Sequence, residues 1–103
     1  MDAVKNDVKR LVKIELAAAN KKFRMFAGPH EGAGIIQEEV VEAAQEMNGL
    51  CRELNAMWMN VYSNNPQIST KGVYDRAVAL AVEDIKTAAM DRKIERSQRR
   101  HWP

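Results

Sequence analysis

Two breakers, Gly28-Pro29 and Asn64-Asn65-Pro66, cut the 103 residues into three stretches, each repeating its apolar residues at helical spacing. None shows the strict alternation of a half-buried strand, so the pattern predicts an all-α fold of three helices. The first helix is expected to follow an Asp2 cap, to present Val4, Val8, Leu11, Val12, Ile14 and Ala18, and to fade near Asn20-Lys21-Lys22. Phe23, Met25 and Phe26 then offer apolar anchors in a connector. A second helix resumes at about His30 and runs to about Ser63, with Ile36, Val40, Ala43, Met47, Leu50, Cys51, Leu54, Trp58 and Val61 on one side. Ser69 or Thr70 suits the cap of a third, from about Lys71 to Arg96, and residues 97–103 are expected to fray as a basic tail.

A chain of this length forms one domain, spanning 1–103, and buries roughly 60–70% of its unfolded surface. Three amphipathic helices of unequal length cover one another poorly. The third is rich in alanine (Ala77, Ala79, Ala81, Ala88, Ala89), which permits close helix approach, so dimerisation into a larger bundle, a homo-oligomer, is expected. No apolar run reaches the ~18 residues of a membrane span, and the N-terminal residues lack a signal-peptide core. Cys51 is the sole cysteine, which excludes an intramolecular disulfide and makes a reducing, cytoplasmic setting the default.

Sixteen basic residues against fourteen acidic give a formal charge of +2, too weak a balance to announce a nucleic-acid binder. Its distribution says more. Arg92, Lys93, Arg96, Arg99 and Arg100 make the C-terminal end basic, while Glu31 to Glu53 is acidic apart from Arg52. The basic end either tracks phosphates with Trp102 stacking on a base, as in a nucleic-acid accessory protein, or simply solubilises a helix end and complements its dipole.

Glu83 stands out because Leu80, Thr87, Met90 and Ile94 share its helical face. A carboxylate there needs a proton, a basic partner or a cation, since an unpaired buried charge costs several kcal/mol. Lys86, three residues on, is one such partner. On the second helix Glu39, Glu42, Glu46 and Glu53 fall in a sector about 60° wide, bordered by Ile35, Leu50 and Met57. Glu39 and Glu42, at i, i+3, are close enough to share one cation. Glu38 points almost opposite the apolar stripe. Carboxylates converging from two helices suit a hard divalent ion. An ordinary solvated acidic face is the plain alternative.

The run His30-Glu31-Gly32, then Ile35-Ile36-Gln37-Glu38-Glu39-Val40-Val41-Glu42-Ala43, resembles the opening of small phage and prophage proteins related to MazG-like nucleotide pyrophosphohydrolases. The later Ala79-Leu80-Ala81-Val82-Glu83-Asp84-Ile85-Lys86-Thr87-Ala88-Ala89-Met90 is similar to their second conserved segment, so the resemblance covers roughly residues 24 to 97. It implies an all-α, oligomeric, Mg²⁺-dependent (or Mn²⁺-dependent) enzyme cleaving nucleoside triphosphates to monophosphates and pyrophosphate. Carried over residue by residue, it implies Glu39, Glu42 and Glu83 as metal ligands and Glu38 as the water-orienting base. Lys86 falls where the family has a ligating Asp and would instead contact phosphate, with His30 binding phosphate or base at the helix head. An ammonium cannot ligate Mg²⁺, so this departure keeps two other readings open: a degenerate site, and a non-catalytic interaction protein of phage origin whose carboxylates form salt bridges.

Overall fold

A computed structural model describes residues 2–65 and 67–101. They form three helices, α1 (Asp2–Lys22), α2 (Pro29–Tyr62) and α3 (Lys71–His101), and no strand among the described residues. No helix there is long and apolar enough to cross a membrane. The side chain of Asp2, expected as a cap, together with Pro66, Trp102 and Pro103, lies outside the described residues.

The breakers act where the chemistry places them. Pro29 occupies the first helical position of α2, where its missing N–H costs nothing. At the far end Ser63 donates its hydroxyl to the Met59 carbonyl at 2.9 Å, and Asn64 takes the left-handed conformation (φ 57°) that closes a helix. The Thr70 carbonyl accepts the first intrahelical bond of α3, from the Tyr74 amide at 3.0 Å. At its C-terminal end α3 does not stop at Arg96. It continues through Ser97 to His101, and Ser97 is fully buried, its Oγ accepting a hydrogen bond from the Phe26 amide at 3.0 Å. That bond ties the connector to α3 at Ser97, while Gln98, Arg99 and Arg100 on the last turn are exposed.

Helices α2 and α3 form an antiparallel hairpin: Gly32 lies against Ile94, Glu46 meets Arg76, and Glu53 lies over Gly72. Helix α1 packs on α3. Among the described residues the buried apolar side chains are Leu16, Phe26 and Ala89, with Gly32, Gly49, Lys93 and Ser97 also buried. The face of α2 turned toward α3 is the one carrying Ile35, Glu39, Glu46, Gly49 and Glu53. The apolar stripe of Val40, Met47, Leu54, Trp58 and Val61 is exposed instead, as are Tyr74 and Val78 on α3 and Val4, Val8, Leu11 and Ile14 on α1. Phe23, one of the three expected anchors, is also exposed, whereas Phe26 is buried.

The two helical glycines near the start of α2 differ in the room around them. A Cβ on Gly32 would come within 2.8 Å of Ile94 Cγ1 and 3.5 Å of Phe26 Cδ2, whereas one on Gly34 would meet nothing within 4 Å. Helix propensity favours alanine at both positions by about 0.5–1 kcal/mol. Gly34→Ala is therefore expected to stabilise the fold by that amount. Gly32→Ala is expected to destabilise it by about 1–3 kcal/mol, because overpacking must displace Ile94. Urea denaturation of the two variants checks both signs.

Candidate metal centre

The hairpin register brings the two glutamate segments together. One carboxylate oxygen from each of Glu39, Glu42 and Glu83 lies within 4.8 Å of the others. Glu39 and Glu42 are three residues apart on α2, and α3 packs so that Glu83 comes near both. Glu42 is exposed, Glu39 is half-buried, and the Glu83 side chain retains 17% of its exposure.

Partners for these oxygens are scarce. Glu83 Oε1 meets Lys86 Nζ at 3.5 Å, a loose ion pair, but Glu83 Oε2 and Glu39 Oε2 are both buried without a hydrogen-bond partner. Buried polar atoms are ordinarily satisfied, and either a proton shared between Glu39 and Glu83 or a bound cation would complete these oxygens. The Glu39 carboxyl is held above the usual range, first by burial and then by the Glu42 charge, while Glu83 adds a smaller push in the same direction and Lys86 opposes it. Lys86 is held more firmly protonated by Glu83 first, with Glu39 and Glu42 adding to it against burial. Three carboxylates and one ammonium leave two net negative charges, which matches a divalent cation. The donor set is all oxygen, the ligand type that Mg²⁺ and Mn²⁺ select.

Glu38, the candidate base, is exposed and is not among the three carboxylates that converge. Its role rests on the resemblance alone. His30 is exposed on the first turn of α2, and its neighbour Glu31 is engaged elsewhere. Both Glu31 oxygens accept from Arg24, at 2.7 and 3.0 Å, and Oε1 also accepts from the Ala27 amide at 3.4 Å. This arrangement clamps the connector to the head of α2, and Arg24 accordingly holds the Glu31 carboxyl below its ordinary range. Gly32 serves packing, so Glu31 and Gly32 both have structural roles. Trp58 and Tyr62 stack on each other, centroids 5.7 Å apart, at the end of α2.

One residue near the site was not singled out by spacing. Lys93 counts by sequence with the basic tail, yet it is 1% exposed, with its ammonium 4.8 Å from the Phe26 ring centroid and 5.8 Å from that of Phe23. The signal was available: Lys86, Ala89, Met90, Lys93 and Ser97 recur at three- and four-residue steps on one face of α3. Comparisons with protein-family models, with curated proteins and with solved structures find no match to this chain.

Proposed function

We propose that the chain is a MazG-like, metal-dependent nucleoside triphosphate pyrophosphohydrolase, working as a homodimer, with Mg²⁺ (or Mn²⁺) held by Glu39, Glu42 and Glu83. The observation that carries this reading is the meeting of three carboxylates from two helices with two buried oxygens left unbonded. A divalent cation in such a place supplies positive charge against the oxygens of a polyphosphate. The chain's own part is to hold the three carboxylates close against their mutual repulsion and to keep Lys86 charged beside them. Lys86 then serves as a phosphate contact at the edge of the site.

The dimer is supported by area. The chain exposes 7813 Å², whereas a folded monomer of 11.7 kDa exposes roughly 5,900 Å². The excess, about 1,900 Å², exceeds the ~800 Å² each partner contributes to a standard interface and lies in the range of obligate dimers. The radius of gyration, 17.8 Å, is likewise well above the roughly 13 Å of a compact domain this long.

The Lys86–Glu83 pair favours a second reading, in which the carboxylates form a salt-bridged seam in an interaction protein. Calorimetric titration with Mg²⁺ and measurement of pyrophosphate release from a panel of nucleoside triphosphates separate the two. The proposed function predicts binding and turnover, with turnover abolished by Glu42→Gln; the seam predicts neither. A nucleic-acid role for the C-terminal end has less to work with. Lys93 is buried, and Arg92 and Arg99 both pair with Glu95, at 3.0 and 3.8 Å.

The site also sets a pH dependence. Glu39 has a folded-state pKa above its ordinary 4.5, so the stability linked to its proton is present below 4.5 and is lost as pH rises through the raised value. Glu31, shifted downward, acts only below 4.5 and in the opposite sense. Between about pH 4.5 and neutrality the metal-free protein is therefore expected to melt at falling temperature, and Glu39→Gln to flatten that slope. Mg²⁺ at neutral pH offsets the repulsion among the three carboxylates and is expected to restore the loss, readable as a rise in melting temperature.

A further inference from the structure

Beside the carboxylates, α1, the connector and the α2–α3 hairpin enclose a half-open cavity of about 620 Å³. Its walls are mainly apolar: Ala19, Phe23, Phe26, Ile35 and Met90. Lys93 lines it too, and this buried cation has no ion pair or hydrogen bond among the described residues. Of the other charges around the cavity, Arg24 pairs with Glu31 and Lys86 with Glu83, Lys22 is exposed, and neither Glu15 nor Glu39 comes within ion-pair distance of Lys93 among the described residues.

The two phenylalanine rings offset part of the cost of burying that ammonium. They supply no hydrogen-bond acceptor, and its three N–H donors have no protein acceptor among the described residues. Burial holds the Lys93 pKa below its ordinary value, with Glu31 opposing the shift and Arg24 adding to it. An apolar cavity with one convergent charged group is the usual form of a small-molecule site.

We propose that this cavity binds a small organic oxyanion, an aromatic or other apolar body bearing a carboxylate or phosphate, with Lys93 as its counter-ion. The apolar body lies against Phe23, Phe26, Ile35 and Met90, and the anionic group meets the ammonium. Occupation removes water from the cavity and supplies the acceptor that Lys93 lacks. The site requires no divalent cation, so it stands or falls independently of the pyrophosphohydrolase reading.

The test is a titration of the full chain, free of divalent cations, with benzoate, phenyl phosphate, inorganic phosphate and benzyl alcohol, followed by calorimetry and by ¹³C chemical shifts of the lysine ε-carbons. One equivalent of benzoate or phenyl phosphate is expected to bind and to move the Lys93 resonance. Whichever binds better identifies the anionic group. Benzyl alcohol, which lacks the charge, and inorganic phosphate, which lacks the body, are expected to bind at least tenfold more weakly. Lys93→Met should lose the aromatic anion by at least tenfold, while Lys93→Arg keeps most of it. If Lys93→Met fails to fold, Ala19→Leu, which narrows the cavity without touching the charge, should show the loss instead. Equal binding by wild type and Lys93→Met, or by wild type and Ala19→Leu, overturns the proposal, as does no binding of either aromatic anion at millimolar concentration.

Discussion

Glu83→Gln is expected to weaken Mg²⁺ binding by about 100-fold, or ~2.7 kcal/mol, and to take pyrophosphate release below detection. Gln keeps the size of the side chain and removes one of the three negative charges that converge with an oxygen each within 4.8 Å. With Lys86 still charged, the remaining cluster carries a single net negative charge, a poor match for a dication. The effect on stability separates this role from a structural one. In the cation-site reading the metal-free variant is at least as stable as wild type, because it relieves repulsion with Glu39 and exchanges a buried, unbonded carboxylate oxygen for a neutral amide. In the salt-bridge reading it loses the 3.5 Å pair with Lys86 and is less stable. Thermal denaturation in chelator, beside Mg²⁺ calorimetry, gives both results from one preparation. A variant that binds Mg²⁺ as tightly as wild type removes Glu83 from the site.

Leu54→Asp combined with Trp58→Asp is expected to turn a dimer into a monomer, weakening association by more than 1,000-fold, or ~4 kcal/mol. Val40, Met47, Leu54 and Val61 recur every seven residues along α2, and Cys51 and Trp58 fall between them at the other seam position. All six are exposed, Leu54 at 45% and Trp58 at 50%, so no other helix covers the seam among the described residues. A helix from a second copy laid along that seam would cover them. Two aspartates at its centre would bury unpaired carboxylates there, each costing several kcal/mol. Sedimentation equilibrium measures the change directly. If the paired variant and wild type sediment alike, this stripe is not where copies meet. Because the substituted side chains lie on the side of α2 away from α3, the hairpin contacts at Gly32, Gly49 and Glu46 are expected to persist, giving a folded monomer of lower stability.

Much of the candidate site was readable before any fold was known. Glu83 among Leu80, Met90 and Ile94 announced a charge that needed company, and Glu39 with Glu42 at i, i+3 supplied a second half of the right chemistry. The fold does bring these three together, with Lys86 attached to Glu83 as its spacing suggested. Glu38 is exposed and is not among the three that converge. Lys93 and Ser97 were misjudged because a basic, polar composition near a chain end ordinarily means solvent. What buries them is the connector, whose Phe26 ring and amide fold back onto α3. That contact spans 71 residues of sequence, and helical periodicity carries no information over such a separation.

Local chemistry by itself therefore determined the three helices, the two breaks between them and which carboxylates lie on one face, because each depends on side-chain size, charge and a 3.6-residue repeat. Only the tertiary structure decided which face of α2 turns inward. Apolar patterning favoured the stripe of Val40, Met47, Leu54 and Trp58, but α3 packs on the neighbouring sector, where Gly32 and Gly49 let the backbones approach. A helix with two usable faces can satisfy one partner with each. The choice between them depends on close packing against residues far along the chain, which no local repeat encodes.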